Sequence, residues 1–174
     1  MVKQVCKGCR YQQIDLDAIH QALLKYIAID VLLVDSPLVF AHGDLQYGNI
    51  MLTENKAILI DFEYSDYNPR GFDLANHFCE WMFNYHSDTP HLGNIASFPT
   101  SAEQVTFCEA YLNSKDEEAI GKLMEEIAIY VPASHLFWGL WAMIQSSSSN
   151  IDFDYLKYAE FRLNLFLESS ALNK

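Results

Sequence analysis

Between Phe40 and Tyr64 the chain reads FAHGDLQYGNIMLTENKAILIDFEY, with a His, two Asp, a Gln, an Asn and a Glu set among apolar residues. Buried carboxylates are costly unless something pairs with them. Such a set therefore answers to a metal or a cationic ligand, or it sits at exposed strand ends, where Asp and Asn are ordinary turn formers. The spacing is His42-x-Asp44-x-x-x-x-Asn49, followed by an apolar run ending in Asp61-Phe62-Glu63. A hydroxyl that attacks phosphorus has to give its proton to a positioned carboxylate, which is the role open to Asp44. A polyphosphate needs divalent cations to offset its charge. An Asn oxygen and an Asp carboxylate suit hard Mg²⁺, which singles out Asn49 and Asp61. His42, two residues before the base, reads as a brace for the loop rather than an acid–base group, with Asp73 as its partner.

These residues need elements to hold them. Ile14 to Val34 reads as a helix with Leu16, Ile19, Leu23, Tyr26 and Ile27 on one face, ended by Ser36-Pro37. Leu38 to Ala41 is a short strand running into His42. Asn49–Leu52 and Ala57–Asp61, joined by a polar turn, read as a β-hairpin that brings Asn49 and Asp61 to one ion. Asp66 to Gly71 reads as a loop marked by Asn-Pro, and Asp73 to Tyr85 as a helix. Ser87 to Thr100 is a long loop. Ser101 with Gln104, and Ser114 with Glu117, are capping-box signatures for two further helices. The serine run Ser146–Ser149 breaks the chain before a last helix, Phe153 to Leu167. Residues 1–13 carry no pattern, and 14–174 read as one α+β unit, mostly helical.

With 174 residues, 51% of them hydrophobic, the chain can bury a core. Its 11 basic against 23 acidic residues give a formal net charge of −12, which argues against nucleic acid and suits a cationic ligand. No GxGxxG or GxxxxGK[ST] loop is present to cradle phosphates. Cys6 and Cys9 have CxxC spacing without a second pair, so they read as reduced thiols, alongside Cys79 and Cys108. The first residues form no apolar signal segment, and a cytoplasmic location is expected. Ile127 to Ile144 has no charged residue in 18 positions. Pro132, Ser134, His135 and Gly139 interrupt that run, so it reads as a buried core helix rather than a membrane insertion.

The spacing His42-x-Asp44-x4-Asn49 with a strand ending in Asp61-Phe62 is that of the catalytic loop and metal-binding Asp of protein-kinase-like phosphotransferases. The segments HGDLQYGNI, IDFEYSDYN, RGFDLANHFCEWM and SHLFWGLWAMIQ, spread between about Phe40 and Phe166, resemble the choline/ethanolamine kinases, and more closely the choline kinases. The resemblance implies a protein-kinase-like C-terminal lobe, mostly helical, with a short β-hairpin carrying the catalytic loop. It implies ATP and Mg²⁺ as cofactors, choline or ethanolamine as the small-molecule substrate, and often a homodimer. It assigns Asp44 as catalytic base, Gln46 as a group approaching the nucleotide phosphates, and Asn49 and Asp61 as Mg²⁺ ligands. Tyr64, Glu80, Tyr85, Trp138, Trp141, Tyr155 and Tyr158 would form the choline pocket. Gly43 stands where the family usually has Asn, and Pro69 where an aromatic is frequent. The family's N-terminal ATP-clamping lobe has no match in the 39 residues before Phe40, so the chain reads as the C-terminal lobe with little activity alone.

Residue chemistry bears on the pocket independently. A quaternary ammonium has no N–H to donate and is best held by aromatic faces. Trp138 and Trp141 are i,i+3 on one helix, Tyr155 and Tyr158 on the next, and Glu80 adds negative charge. By periodicity alone these rings read as core packing, and the resemblance makes them a cage. Two alternatives stand beside choline kinase. One is an ethanolamine kinase or other small-alcohol phosphotransferase. The other is a non-catalytic choline-binding or dimerisation module.

Overall fold

In a computed structural model the described residues are 14–29 and 34–172. Cys6, Cys9 and the segment 1–13 lie outside them, as does the stretch 30–33 of the expected first helix. Helix α1 spans Leu16–Ile29. It buries Ile19 and Tyr26, while Ile27, expected on the same face, is exposed. Tyr26 stacks edge-on against Phe166 and donates its hydroxyl to the Ile129 carbonyl at 2.6 Å.

Two small sheets follow. Strand β1 (Leu38–Ala41) pairs antiparallel with β4 (Asp66–Pro69), so the stretch expected to be a loop is a strand. Pro69 is its last residue, opposite Leu38, where the missing N–H interrupts no ladder. Between these strands lie the loop from His42, a 3-10 turn at Tyr47–Asn49, and the expected hairpin of β2 (Ile50–Leu52) and β3 (Ala57–Leu59).

The body is helical. Helix α2 spans Arg70–Glu80, starting three residues earlier than expected and ending sooner. After a long loop with a 3-10 turn at Ile95–Ser97 come α3 (Ser101–Leu112), α4 (Glu117–Ser148) and α5 (Tyr155–Leu172). The caps differ from expectation. Thr100 with Glu103 forms the capping box of α3, and Asp116 caps α4 by accepting from the Glu118 N–H. An Asp outcompetes the nearby Ser because its charge also suits the positive helix end.

Helix α4 is 32 residues long and carries Pro132 inside it. It is long and apolar enough to cross a membrane, yet more than half of its apolar window is buried against the rest of the chain. Its N-terminal half packs with α2 and α3 through Ile120, Leu123 and Ile127. Its C-terminal half packs with α1 and α5 through Leu136, Ala142 and Met143. The hydroxyls of Ser146, Ser147 and Ser148 turn back to the Met143 and Ile144 carbonyls, which ends the helix where the serine run predicted.

Candidate active site

The loop after β1 is held by its own polar groups. Asp73, in the first turn of α2, accepts the His42 N–H at 3.0 Å and the Gly43 N–H at 2.8 Å. Asp73 thus grips the backbone, not the imidazole it was expected to partner. The His42 ring bridges two segments. Its Nδ1 accepts from the Asp44 N–H at 3.3 Å, and its Nε2 lies 2.9 Å from the Ile60 carbonyl, to which it donates. The brace therefore joins the base-bearing loop to the residue before Asp61. Gly43 has φ +81°, and a Cβ there would meet the Tyr64 carbonyl oxygen at 2.4 Å. Only glycine permits that approach.

Asp44 is burdened electrostatically. Burial first, then the charge of Glu80, push its carboxyl up to about 7, against a lowering hydrogen bond from Asn49; Asp61 and Glu63 add to the rise. Asn49 Nδ2 donates to the Asp44 carboxylate at 3.1 Å and to its carbonyl at 2.8 Å. Gln46 is turned inward. Its Oε1 accepts from the Gly48 N–H, capping the 3-10 turn, and its Nε2 is 3.4 Å from Asn49 Oδ1. Asp61 is exposed at φ 64°, a left-handed backbone that carries local strain and concentrates at functional sites.

Beside Asp44 lies a cavity of about 280 Å³. All seven residues of the expected pocket line it: Tyr64, Glu80, Tyr85, Trp138, Trp141, Tyr155 and Tyr158. Asp44 and Gln46 line it too, whereas Asn49 and Asp61 stand outside the lining. The rings meet edge to face: Tyr64 on Trp138 at 5.3 Å, Trp138 on Trp141 at 5.1 Å, and Trp141 on Tyr155 at 5.7 Å between centroids. Trp141 Nε1 donates to the Tyr64 hydroxyl at 3.0 Å. Tyr85 donates to Glu80 Oε2 at 2.7 Å, and burial holds its hydroxyl well above the usual tyrosine range.

Glu80 does not carry its charge alone. Arg162, fully buried on α5, pairs with Glu80 Oε1 at 3.2 Å. The unpaired negative charge beside the cavity therefore comes from Asp44 and Glu63. Sequence reasoning missed Glu63, Ile151 and Phe153, which also line the cavity. It missed Arg162 as well, although an Arg four residues after Tyr158 on one helix was a readable signal.

Asn49 and Asp61 are the residues that could hold a hard cation here. Asn49 Oδ1 has only the long contact to Gln46, Asp61 is exposed, and the charges of Asp61 and Glu63 both push the Asp44 carboxyl up. An all-oxygen donor set of this kind fits Mg²⁺. No cluster of three or more His, Cys, Asp or Glu side chains that could hold a metal by themselves occurs among the described residues.

A braced HxDxxxxN loop in front of a helical body defines the C-terminal lobe of a protein-kinase-like fold. Residues 3–167 match the family described as choline/ethanolamine kinase, and the chain belongs to that family. The match takes in residues before Phe40 that the motifs had left out. The chain is 45% identical to "Probable choline kinase 2" of Arabidopsis thaliana over 138 residues, 76% of this chain and 39% of that protein. It is 38% identical to "Probable ethanolamine kinase" of the same plant over 169 residues, 93% of this chain and 43% of that one. The solved structure of "Plasmodium vivax ethanolamine kinase" superposes with a TM-score of 0.81 at 30% identity, over 95% of this chain and 45% of the other. The chain thus spans about two-fifths of the length of the relatives it matches.

Proposed function

We propose that this chain supplies the acceptor-binding and base-bearing half of a choline kinase, which moves the γ-phosphoryl of ATP to the hydroxyl of choline and serves phosphatidylcholine synthesis in the cytosol. The observation that carries this reading is the single cavity lined by four aromatic-bearing segments with Asp44 at its edge. A trimethylated nitrogen gains about 0.5–2 kcal/mol per ring face it meets. Asp44, raised to about 7, is matched to accepting a hydroxyl proton near neutral pH. Its Asn49 hydrogen bond orients the carboxylate, and the His42 and Asp73 contacts hold its backbone. Asn49 and Asp61 would hold Mg²⁺, which neutralises polyphosphate charge when bound.

A second reading, ethanolamine as acceptor, is supported by the likeness to proteins named as ethanolamine kinases. Ethanolamine keeps an N–H₃⁺ group, which calls for hydrogen-bond acceptors rather than a complete ring wall. Calorimetry with choline and with ethanolamine, beside a coupled ADP-release assay with Mg·ATP, separates the readings. Choline is expected to bind more tightly, with negligible turnover by these 174 residues alone. Tighter ethanolamine binding overturns the choline assignment, and steady choline-dependent ADP release by these residues alone overturns the expectation of negligible turnover.

A further inference from the structure

Asn76, Ser134 and Arg162 are fully buried, on three different helices, and none lines the cavity. Polar groups so placed need partners, and theirs form one chain. Arg162 donates from NH1 to Glu80 Oε1 at 3.2 Å and to the Tyr158 hydroxyl at 3.1 Å, both on the cavity wall. Its NH2 donates to Ser134 Oγ at 2.8 Å. Ser134 Oγ donates to Asn76 Oδ1 at 2.8 Å. Asn76 Nδ2 donates to the Gly43 carbonyl at 3.1 Å.

The donor directions are fixed by chemistry. A guanidinium only donates, so Ser134 must accept from it and has one proton left to give to Asn76. That sets the Asn76 amide with its nitrogen toward Gly43. The Gly43 carbonyl shares a peptide plane with the Asp44 N–H, which is itself bonded to His42 Nδ1. An unbroken run of bonds joins the cavity wall to the peptide that carries Asp44; Arg162 donates at one end to Glu80 and Tyr158, and from Arg162 to the Gly43 carbonyl every bond points the same way. Bonds so aligned polarise one another.

We infer that Asn76, Ser134 and Arg162 are positioning residues that register the Asp44 loop against the acceptor cavity, so that a cation entering the cavity is sensed at the Gly43–Asp44 peptide. The inference rests on the cavity being the acceptor site. An incoming cation competes with Arg162 for the Glu80 carboxylate, and the change passes through Ser134 and Asn76. Asp44 lines the cavity, so part of any amide response is direct; a set of bonds serving the fold alone would leave that response unchanged when the Ser134 hydroxyl is removed.

The test uses ¹⁵N-labelled chain titrated with choline chloride, reading Trp138 and Trp141 by fluorescence and the Gly43 and Asp44 amides by NMR. In the wild type, both the fluorescence and the amides respond. Ser134→Ala is expected to keep the fluorescence Kd within about threefold while the Gly43 and Asp44 shift changes fall at least threefold. Ser134→Thr, which keeps the hydroxyl, restores them. If Thr does not fit the site, Asn76→Ala gives the same loss and provides the second variant. Amide responses unchanged in Ser134→Ala overturn this inference alone. A wild-type chain whose fluorescence ignores both choline and ethanolamine overturns the cavity reading and this inference with it.

Discussion

The ring-lined cavity and the β2–β3 hairpin flank the same aspartate, yet they are built on opposite terms. The cavity draws walls from three helices, and its polar tips are tied down: Tyr85 to Glu80, Glu80 to Arg162, Trp141 to Tyr64. The hairpin is two three-residue strands whose apolar side chains face outward; Leu52 is 82% exposed, and Met51, Leu59, Ile60 and Phe62 are exposed as well. A lone two-stranded ribbon is marginal. This one is placed by the His42 bond to the Ile60 carbonyl and by the Ile60 N–H bond to the Asn49 carbonyl. The cavity is therefore preorganised by tertiary packing, while the hairpin rests on a few hydrogen bonds from a single loop.

That contrast can be broken or sharpened by mutation. The largest effect is expected from Arg162→Met, which leaves Glu80 buried and unpaired. The loss is about 3–5 kcal/mol of unfolding free energy, read from urea titration. An equal loss from disturbing the hairpin would erase the distinction. Next is Asp44→Asn. The Asp44 carboxyl titrates higher in the folded chain than in the unfolded one, so the native state binds the extra proton. Its ionisation lowers stability progressively as pH rises from about 4 to about 7. In EDTA, the Asn variant should match wild type near pH 3.5. Above pH 7 it should exceed wild type by about 1–2 kcal/mol, allowing for solvent screening of a part-exposed group. Thermal melts across that range decide, and an advantage that shrinks with pH contradicts the electrostatic account.

Trp141→Ala, half-buried and bonded to Tyr64, should weaken choline binding by about tenfold in calorimetry, the equivalent of one good cation–π contact. The smallest effect belongs to Leu52→Ser, expected within about 0.5 kcal/mol of wild type by the same urea titration. A larger loss would show that the hairpin is anchored by packing after all.

Much of this was legible in the sequence because chemistry and local pattern coincide there. The Asp44 loop and the hairpin come from a motif with fixed spacing, whereas the seven pocket residues are named through the family resemblance, since by periodicity alone their rings read as core packing. The failures share a cause, in that a local signal was outweighed by a partner far along the chain. Asn68-Pro69 reads as a loop until Val39 is seen to lie opposite Asn68. Ser101 with Gln104 is a valid capping box, but Thr100 with Glu103 overlaps it by one residue and wins. Ile127 to Ile144, by contrast, reads as a buried core helix from Pro132, Ser134, His135 and Gly139, and α2 and α5 pack on it. Glu80 looked like free charge because its partner lies 82 residues away.

The bare backbone at Gly43 has a reach beyond its own turn. Its closest neighbour is the carbonyl of Tyr64, and Tyr64 in turn steadies Trp141. Any side chain introduced there must shove Tyr64 aside, reshaping the bore of the cavity from a position that does not itself line it. A change in the shape of this cavity thus has a one-codon starting point, hidden behind the wall rather than set in it.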